Sequence, residues 1–403
     1  MNSLGNIRFF LFVFVFLLDT TVAVFGQLAV VDVGHINNGG NALDVVVSNN
    51  YAFLANNNDG LHIYDISNPA HPTSVANTNN GGLAQGVAVA GKYAFLADTG
   101  AGLQIYDISH PLSPINVGSN NSGSVAYDVA VSGNYAYLAT FYGGLYIYDV
   151  SNPTNPITIA NTNNGGNGYG VAVAGNYAFL ASAADGLRIY DVSNPTNPIN
   201  IGHAYDGGSA VGVTVSGNHA FLANFSDGLR IYDIAIPSNP INIGHTTNSD
   251  NSGAYAYGVT TVGKYAYLAN GRDGLRVYDV STPSNPINIA HAPNSYFATN
   301  SGVIPYANNV AVSGKYIFMA NGNDGLRIYS LTGPQLSVAL TSTNTFLISW
   351  PINSLNFSLQ QNFDIATTNW SDVTNSPVVV GNRNHVIRSP SAARGFYQLK
   401  LQQ

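Results

Sequence analysis

The sequence predicts an all-β fold: a seven-bladed β-propeller of four-stranded blades with N-terminal strand closure, followed by a small β-sandwich domain. Three observations predict it. Two short strings recur seven times in register, each repeat divides into four strand-length apolar runs without helical periodicity, and the strand missing from the last repeat stands at the other terminus.

The first string, Gly-Leu-x-Ile/Val-Tyr-Asp, starts at Gly60, Gly102, Gly144, Gly186, Gly228 and Gly274, with a seventh copy at Gly325 that ends in Ser330. A second string of the Tyr-Ala-Phe-Leu-Ala type precedes each copy, from Tyr51, Tyr93, Tyr135, Tyr177, His219, Tyr265 and Tyr316. A repeat of about 42 residues is the length of a propeller blade, and too short for an independent sandwich.

Within a repeat the strands are read in order. The first resembles Gly86 to Ala90, the second Tyr93 to Ala97, the third Leu103 to Ile108 and the fourth Pro114 to Gly118. Asp-Gly steps before the third strand suit hairpins, because both residues tolerate positive φ. The Asn-Pro-x-x-Pro step before the fourth lacks two backbone donors, which places it in a connection leading to an outer edge strand. In each Tyr-Asp-x-Ser step, Asp65, Asp107, Asp149, Asp191 and Asp279, with Asp233 before Ala, the carboxylate is expected to tie that loop to its backbone.

Closure is a separate test, because a ring that does not join its ends leaves exposed strand edges. Repeat seven has three strands (Asn309 to Val312, Tyr316 to Ala320, Leu326 to Leu331) and then departs at Gly333-Pro334. Leu28 to His35 aligns with fourth strands such as Ile199 to His203, down to the Gly-His pair, and is expected to complete that blade.

Ahead of it, Met1 to Arg8 carry one positive side chain, Phe9 to Leu18 are wholly apolar, and a small-residue tract runs to Gly26. That is the order of a secretory signal peptide, and the apolar run is too short for a transmembrane anchor of about 20 residues. Cleavage is expected after Gly26 or after Ala23. The reading is therefore residues 1–26 signal peptide, 27–333 propeller and 334–403 a C-terminal module, on a secreted or cell-surface monomer.

The 403 residues are 45% hydrophobic and only 8% charged, a packed rather than disordered composition. The net charge of −7 offers no basic field for a phosphate backbone, so nucleic acid is not expected as a partner. Cys is absent, which excludes disulfides and thiolate chemistry.

The repeats resemble the LVIVD-repeat family of exported bacterial proteins, through strings such as Leu229-Arg-Ile-Tyr-Asp233 and Leu275-Arg-Val-Tyr-Asp279. The resemblance spans about residues 28 to 331 and implies a surface or extracellular propeller, with no catalytic residues to carry over. The tail from Gln335 to Gln403 holds both Trp residues, Trp350 and Trp370, and short apolar segments that predict a compact β-sandwich. Through Ser349-Trp350-Pro351, Asn369-Trp370 and Phe396-Tyr397-Gln398-Leu399 it is similar to C-terminal modules on secreted proteins of Verrucomicrobia-like bacteria. That resemblance implies attachment or sorting; a plain structural cap is the alternative.

Function is expected on the face where hairpin tips and blade-to-blade connections emerge together, because those loops vary while the Ser-Asn-Pro-x-x-Pro loops do not. Blade-to-blade connections lengthen at His245 to Tyr257, with Tyr255 and Tyr257, and at His291 to Asn308, with Tyr296, Phe297, Tyr306 and Asn308. Neighbouring tips add Phe141, Tyr142, Phe225 and Arg272, and Tyr127, Tyr169 and Asp206 stand in other connections. Flat aromatic rings with amide and carboxylate partners suit a glycan or protein ligand.

Asp44, Asp128 and Asn309 begin first strands near the axis where four repeats have Gly, so Asp44 and Asp128 complete the candidate ligand-binding set. As an acid and base they would serve the alternative, an extracellular enzyme acting on a polysaccharide or lactone. No catalytic residue, cofactor or metal site is assigned. Asp59, Asp185, Asp227, Asp273 and Asp324 are read as turn residues, because isolated Asp-Gly steps lack calcium's clustered oxygens. His35, His203, His245 and His291 lie at the outer rim, where blade spacing exceeds the reach of one zinc ion.

Overall fold

The computed structural model describes residues 28–401 apart from 38, 80, 122, 163–165, 206, 248–253, 295–304, 333–336, 341–344, 352–356, 363–368, 381–382 and 389–395. The expected signal peptide, with both cleavage sites, and Asp206, Tyr296 and Phe297 lie outside the described residues.

Seven four-stranded antiparallel sheets follow one another along the chain. In blade 1, β2 (Asp44–Ser48), β3 (Tyr51–Ala55), β4 (Leu61–Asp65) and β5 (Thr73–Thr78) pair in sequence order. Blades 2 to 6 repeat the order with β6–β9 (residues 84–120), β10–β13 (126–162), β14–β17 (170–204), β18–β21 (212–246) and β22–β25 (258–292). Blade 7 is made of β26 (Asn309–Ser313), β27 (Tyr316–Ala320) and β28 (Leu326–Thr332), and its outer strand is β1 (Ala29–Ile36). His35 stands opposite Arg327 in that pairing, so the expected closure by the N-terminal strand is observed.

The Tyr-Ala-Phe-Leu-Ala string forms strands because its residues alternate between two covered faces. Phe53 and Ala55 pack with Leu61 and Ile63 against Ala94, Leu96 and Tyr106 of blade 2. Ala52 and Leu54 turn the other way, onto Phe318, Leu326 and Ile328 of blade 7. A large ring from one sheet thus meets small residues of the next, which keeps neighbouring sheets close-packed. Such an apolar cluster bridges every adjacent pair of blades, the seventh joining blade 7 to blade 1, and this closes the circle.

The first strands stand innermost: β2 packs beside both β6 (Ala84–Ala90) and β26, and the series runs unbroken round the axis. On one face, hairpin tips meet the segments entering the next blade in single bridges, Ala183 with Ala210, Phe225 with Ala256 and Gly271 with Ala307. On the other face, Asp65 accepts the amide of Ser67 at 2.8 Å, and Asp107, Asp149, Asp191 and Asp279 repeat the bond, as the Tyr-Asp-x-Ser steps lead one to expect.

Beyond the propeller, β29 (Ser337–Leu340), β30 (Phe346–Pro351), β33 (Val378–Val380) and β34 (Arg383–Arg388) form one sheet, and β31 (Phe357–Asn362), β32 (Ser371–Asp372) and β35 (Phe396–Leu401) another. A small core of Ile348, Trp350, Leu359 and Val386 joins them. Strand β34 was not expected: Arg383-Asn-His-Val-Ile-Arg388 reads as polar, yet it is an inner strand of its sheet.

Candidate functional site

The variable face carries two aromatic groups around the mouth of the axial channel. Tyr127 is the second residue of the first strand of blade 3, β10 (Ala126–Ser132), Tyr169 immediately precedes that of blade 4, β14 (Gly170–Ala174), and their ring centres are 4.7 Å apart. The tip residue Phe141 lies 6.0 Å from Tyr127, 5.7 Å from Tyr169 and 4.7 Å from Tyr142. Only Tyr142 in this group is largely exposed, at 69%; the other rings are half-buried.

The second group joins blades 5, 6 and 7. Phe225 stacks on Tyr255 with ring centres 4.2 Å apart and planes 1° from parallel, and meets Tyr257 edge-on at 5.5 Å. Tyr306 follows at 6.4 Å from Tyr257, with the Arg272 guanidinium 5.2 Å above its ring. Phe225 adopts φ +49°, a left-handed conformation that Asn57, Ala183, Gly271 and Gly322 hold at the same repeat position in blades 1, 4, 6 and 7. Its paired bonds to Ala256, 3.1 and 2.9 Å, hold it there against a steric cost of order 1 kcal/mol. Asn308 donates to the Ala42 carbonyl at 2.8 Å, linking blade 7 to blade 1 at the same mouth.

Below the mouth, a polar channel of about 330 Å³ is lined by Asp44, Asp128, Asn309, Thr214, Thr260 and a run of valines. Asp44 accepts the amides of Val45 and Val87, both at 2.7 Å, and the side-chain amide of Asn309. Asp128 accepts the amides of Val129 at 2.7 Å and Val171 at 2.9 Å. Each acid therefore clasps its own blade to the next. Burial raises the Asp44 carboxyl to about 6, against its three hydrogen bonds. Burial, and then the Asp44 charge, raise Asp128 to about 7.

Glycine at the equivalent position in blade 2 is a requirement of this arrangement: a Cβ on Gly86 would stand 2.8 Å from the Asp128 Cα. A larger hollow, about 500 Å³, opens near Lys264 and Lys315 on the uniform face, away from these groups.

Of the residues expected to bind ligand, Tyr127, Phe141, Tyr142 and Tyr169 meet in one group, and Phe225, Tyr255, Tyr257, Tyr306 and Arg272 in another. Asp44 and Asp128, two blades apart, line a single channel. Sequence reasoning missed the Val87 and Val171 amides, which side-chain patterns do not reveal.

It also missed a recurrent ion cluster. In blades 4 to 7, Asp185, Asp227, Asp273 and Asp324 each pair with the Nε of the arginine three residues on: Arg188, Arg230, Arg276 and Arg327. His203, His245, His291 and His35 complete the clusters, each Nε2 lying 2.7–2.8 Å from the backbone carbonyl of that aspartate. A carbonyl only accepts, so Nε2 carries the proton and is not a metal donor. Among the described residues no group of three His, Cys, Asp or Glu could hold a metal, and no helix is long and apolar enough to cross a membrane.

A closed ring of seven four-stranded sheets around a polar channel makes this a repeat β-propeller. The LVIVD repeat model matches residues 39–80, 81–122, 123–164, 165–205, 207–247, 252–291 and 305–329, and the chain belongs to the LVIVD repeat family. No curated protein matches it. Among solved structures, Raptor of Chaetomium thermophilum is similar with a TM-score of 0.59 and 11% identity, over 75% of this chain and 29% of that one. The computationally designed protein Ika8 gives 0.54 and 6%, over 74% of this chain and 99% of that one. Likeness at these identities concerns the fold alone.

Proposed function

We propose that this is an exported or cell-surface binding propeller that grips a glycan at its aromatic mouth. The observation that carries the reading is the gathering of Phe225, Tyr255, Tyr257 and Tyr306 from three blades into one group. Half-buried Tyr rings offer sugars an apolar face and a hydroxyl, and Asn308 adds polar groups beside them.

Export rests on the N-terminal sequence, and attachment through the C-terminal module on its sequence resemblance. The test is retention of the purified protein on a polysaccharide array, expected to be lost in a Tyr127→Ala, Tyr257→Ala double variant that still melts cooperatively. Silence on the array, with retention on a peptide array, would replace the glycan by a protein ligand.

One observation favours a second reading. Asp44 and Asp128 line one channel with raised carboxyl pKa values, as an acid–base pair would. A hydrolase predicts product release from a bound polysaccharide or lactone, abolished by Asp128→Asn; binding without turnover removes it.

A further inference from the structure

Among the described residues, the channel beneath the mouth carries two carboxylates and no counter-charge. Its other lining residues are Asn309, Thr214, Thr260, Ala311 and valines, so none of the described residues lining it adds a titratable or cationic group facing the acids. Two carboxylates offer about eight acceptor positions. Asp44 fills three, with Val45, Val87 and Asn309, and Asp128 fills two, with Val129 and Val171. Among the described residues about three positions are left unfilled, on two acids that both line the channel.

An ammonium group has three donors and a charge that offsets the burial of both carboxylates. A divalent cation fits less well, since calcium takes 6–8 oxygens and the acids here number two. Tyr127, next in sequence to Asp128, and Tyr169 form a ring pair 4.7 Å apart, and aromatic rings attract cations near them.

We propose that the axial channel receives a primary ammonium group, so that the preferred ligand is an amino sugar whose ring lies against the mouth aromatics while its amine meets Asp44 and Asp128. This rests on the glycan reading and names the ligand's chemical class. Neutral sugars of the same size would fill the mouth and leave the acids uncompensated.

Calorimetric titration of the full-length protein at pH 7 with a glucosamine tetramer and its fully N-acetylated counterpart tests it. The free amine is expected to bind at least tenfold more tightly, and the ratio to fall between pH 7 and pH 5 as the carboxylates take up protons. Asp44→Asn and Asp128→Asn, each checked for an unchanged circular dichroism spectrum, are expected to bring the ratio towards one. Equal affinity for both tetramers, or a ratio kept in both variants, overturns the ammonium site while leaving a glycan at the mouth. Binding of neither tetramer, with other glycans held on the array, overturns it too; silence with every glycan counts against the mouth reading itself.

Discussion

Arg327 on β28 donates to Asp32 on β1 at 2.8 Å, so an ion pair joins the two ends of the propeller. The same guanidinium pairs with Asp324, whose carboxylate His35 of β1 also approaches at 3.2 Å. Blades 4 to 6 hold their outer strands with one Asp–Arg–His cluster each; the closing blade adds a second acid.

Removing Arg327 leaves Asp324, only 6% exposed at its side chain, without its permanent cation. Loss of one partner from a buried pair costs about 3–5 kcal/mol. Arg327→Met is expected to lose about that much in denaturant unfolding, and Arg188→Met clearly less, since Asp185 is 28% exposed. Equal losses would refute the role of burial.

Deleting residues 28–36 removes β1 and bares the edge of β28. The thermal midpoint is expected to fall by many degrees, since strand pairing and the Leu28–Ile289 bond to blade 6 are both lost. Unchanged melting would show that the ring does not need this strand.

The closure is also pH-sensitive. A side-chain hydrogen bond to Asp324, opposed by burial, raises His35 above its ordinary 6.5. Burial would raise Asp324, but His35 and Arg327 hold it well below the usual carboxylate range. The histidine contribution is present in full below pH 6.5 and lost as pH rises through the higher folded value; the aspartate contribution is lost only in acid. His35→Asn should therefore lower the melting midpoint at pH 5.5 and do so less at pH 8.

Asp44 and Asp128 act in the opposite sense to most aspartates. Their folded values lie above the ordinary 3.8, so the folded state holds their protons longer, and this contribution fades as pH rises through about 6 and about 7. For Asp44 the change amounts to at most about 3 kcal/mol. Between pH 4 and pH 8 the stability difference between Asp44→Asn and the parent should move in the variant's favour; parallel pH profiles would contradict it.

Phe53 is 2% exposed between blades 1 and 2, and Phe53→Ala is expected to cost about 3–5 kcal/mol. Ile115→Ala, on a residue 62% exposed at the start of an outer strand, should stay within about 0.5 kcal/mol.

The blades were legible because each strand's burial is written in its own residues. Tyr-Ala-Phe-Leu-Ala is an apolar run of strand length, buried on both faces, and the Asp-Gly turns mark where the chain reverses. β34 escaped the reading because Arg383, Asn384 and His385 precede its one buried residue, Val386. The Asp–Arg–His clusters escaped it for another reason. Asp185 and His203 meet only through the pairing of β16 (Leu187–Asp191) with β17 (Ile199–Ala204), whose register shifts at a bulge between Ile189 and Tyr190.

The sequence by itself determined the blade count, the order of strands and the strand that closes the ring, because these follow from hydrophobic period and turn chemistry repeated along the chain. The tertiary structure alone decided that Asp44 and Asp128 share one channel and that Phe225 lies flat on Tyr255. Those meetings depend on how far each sheet turns from the last, a geometry set by packing between blades and carried by no single repeat.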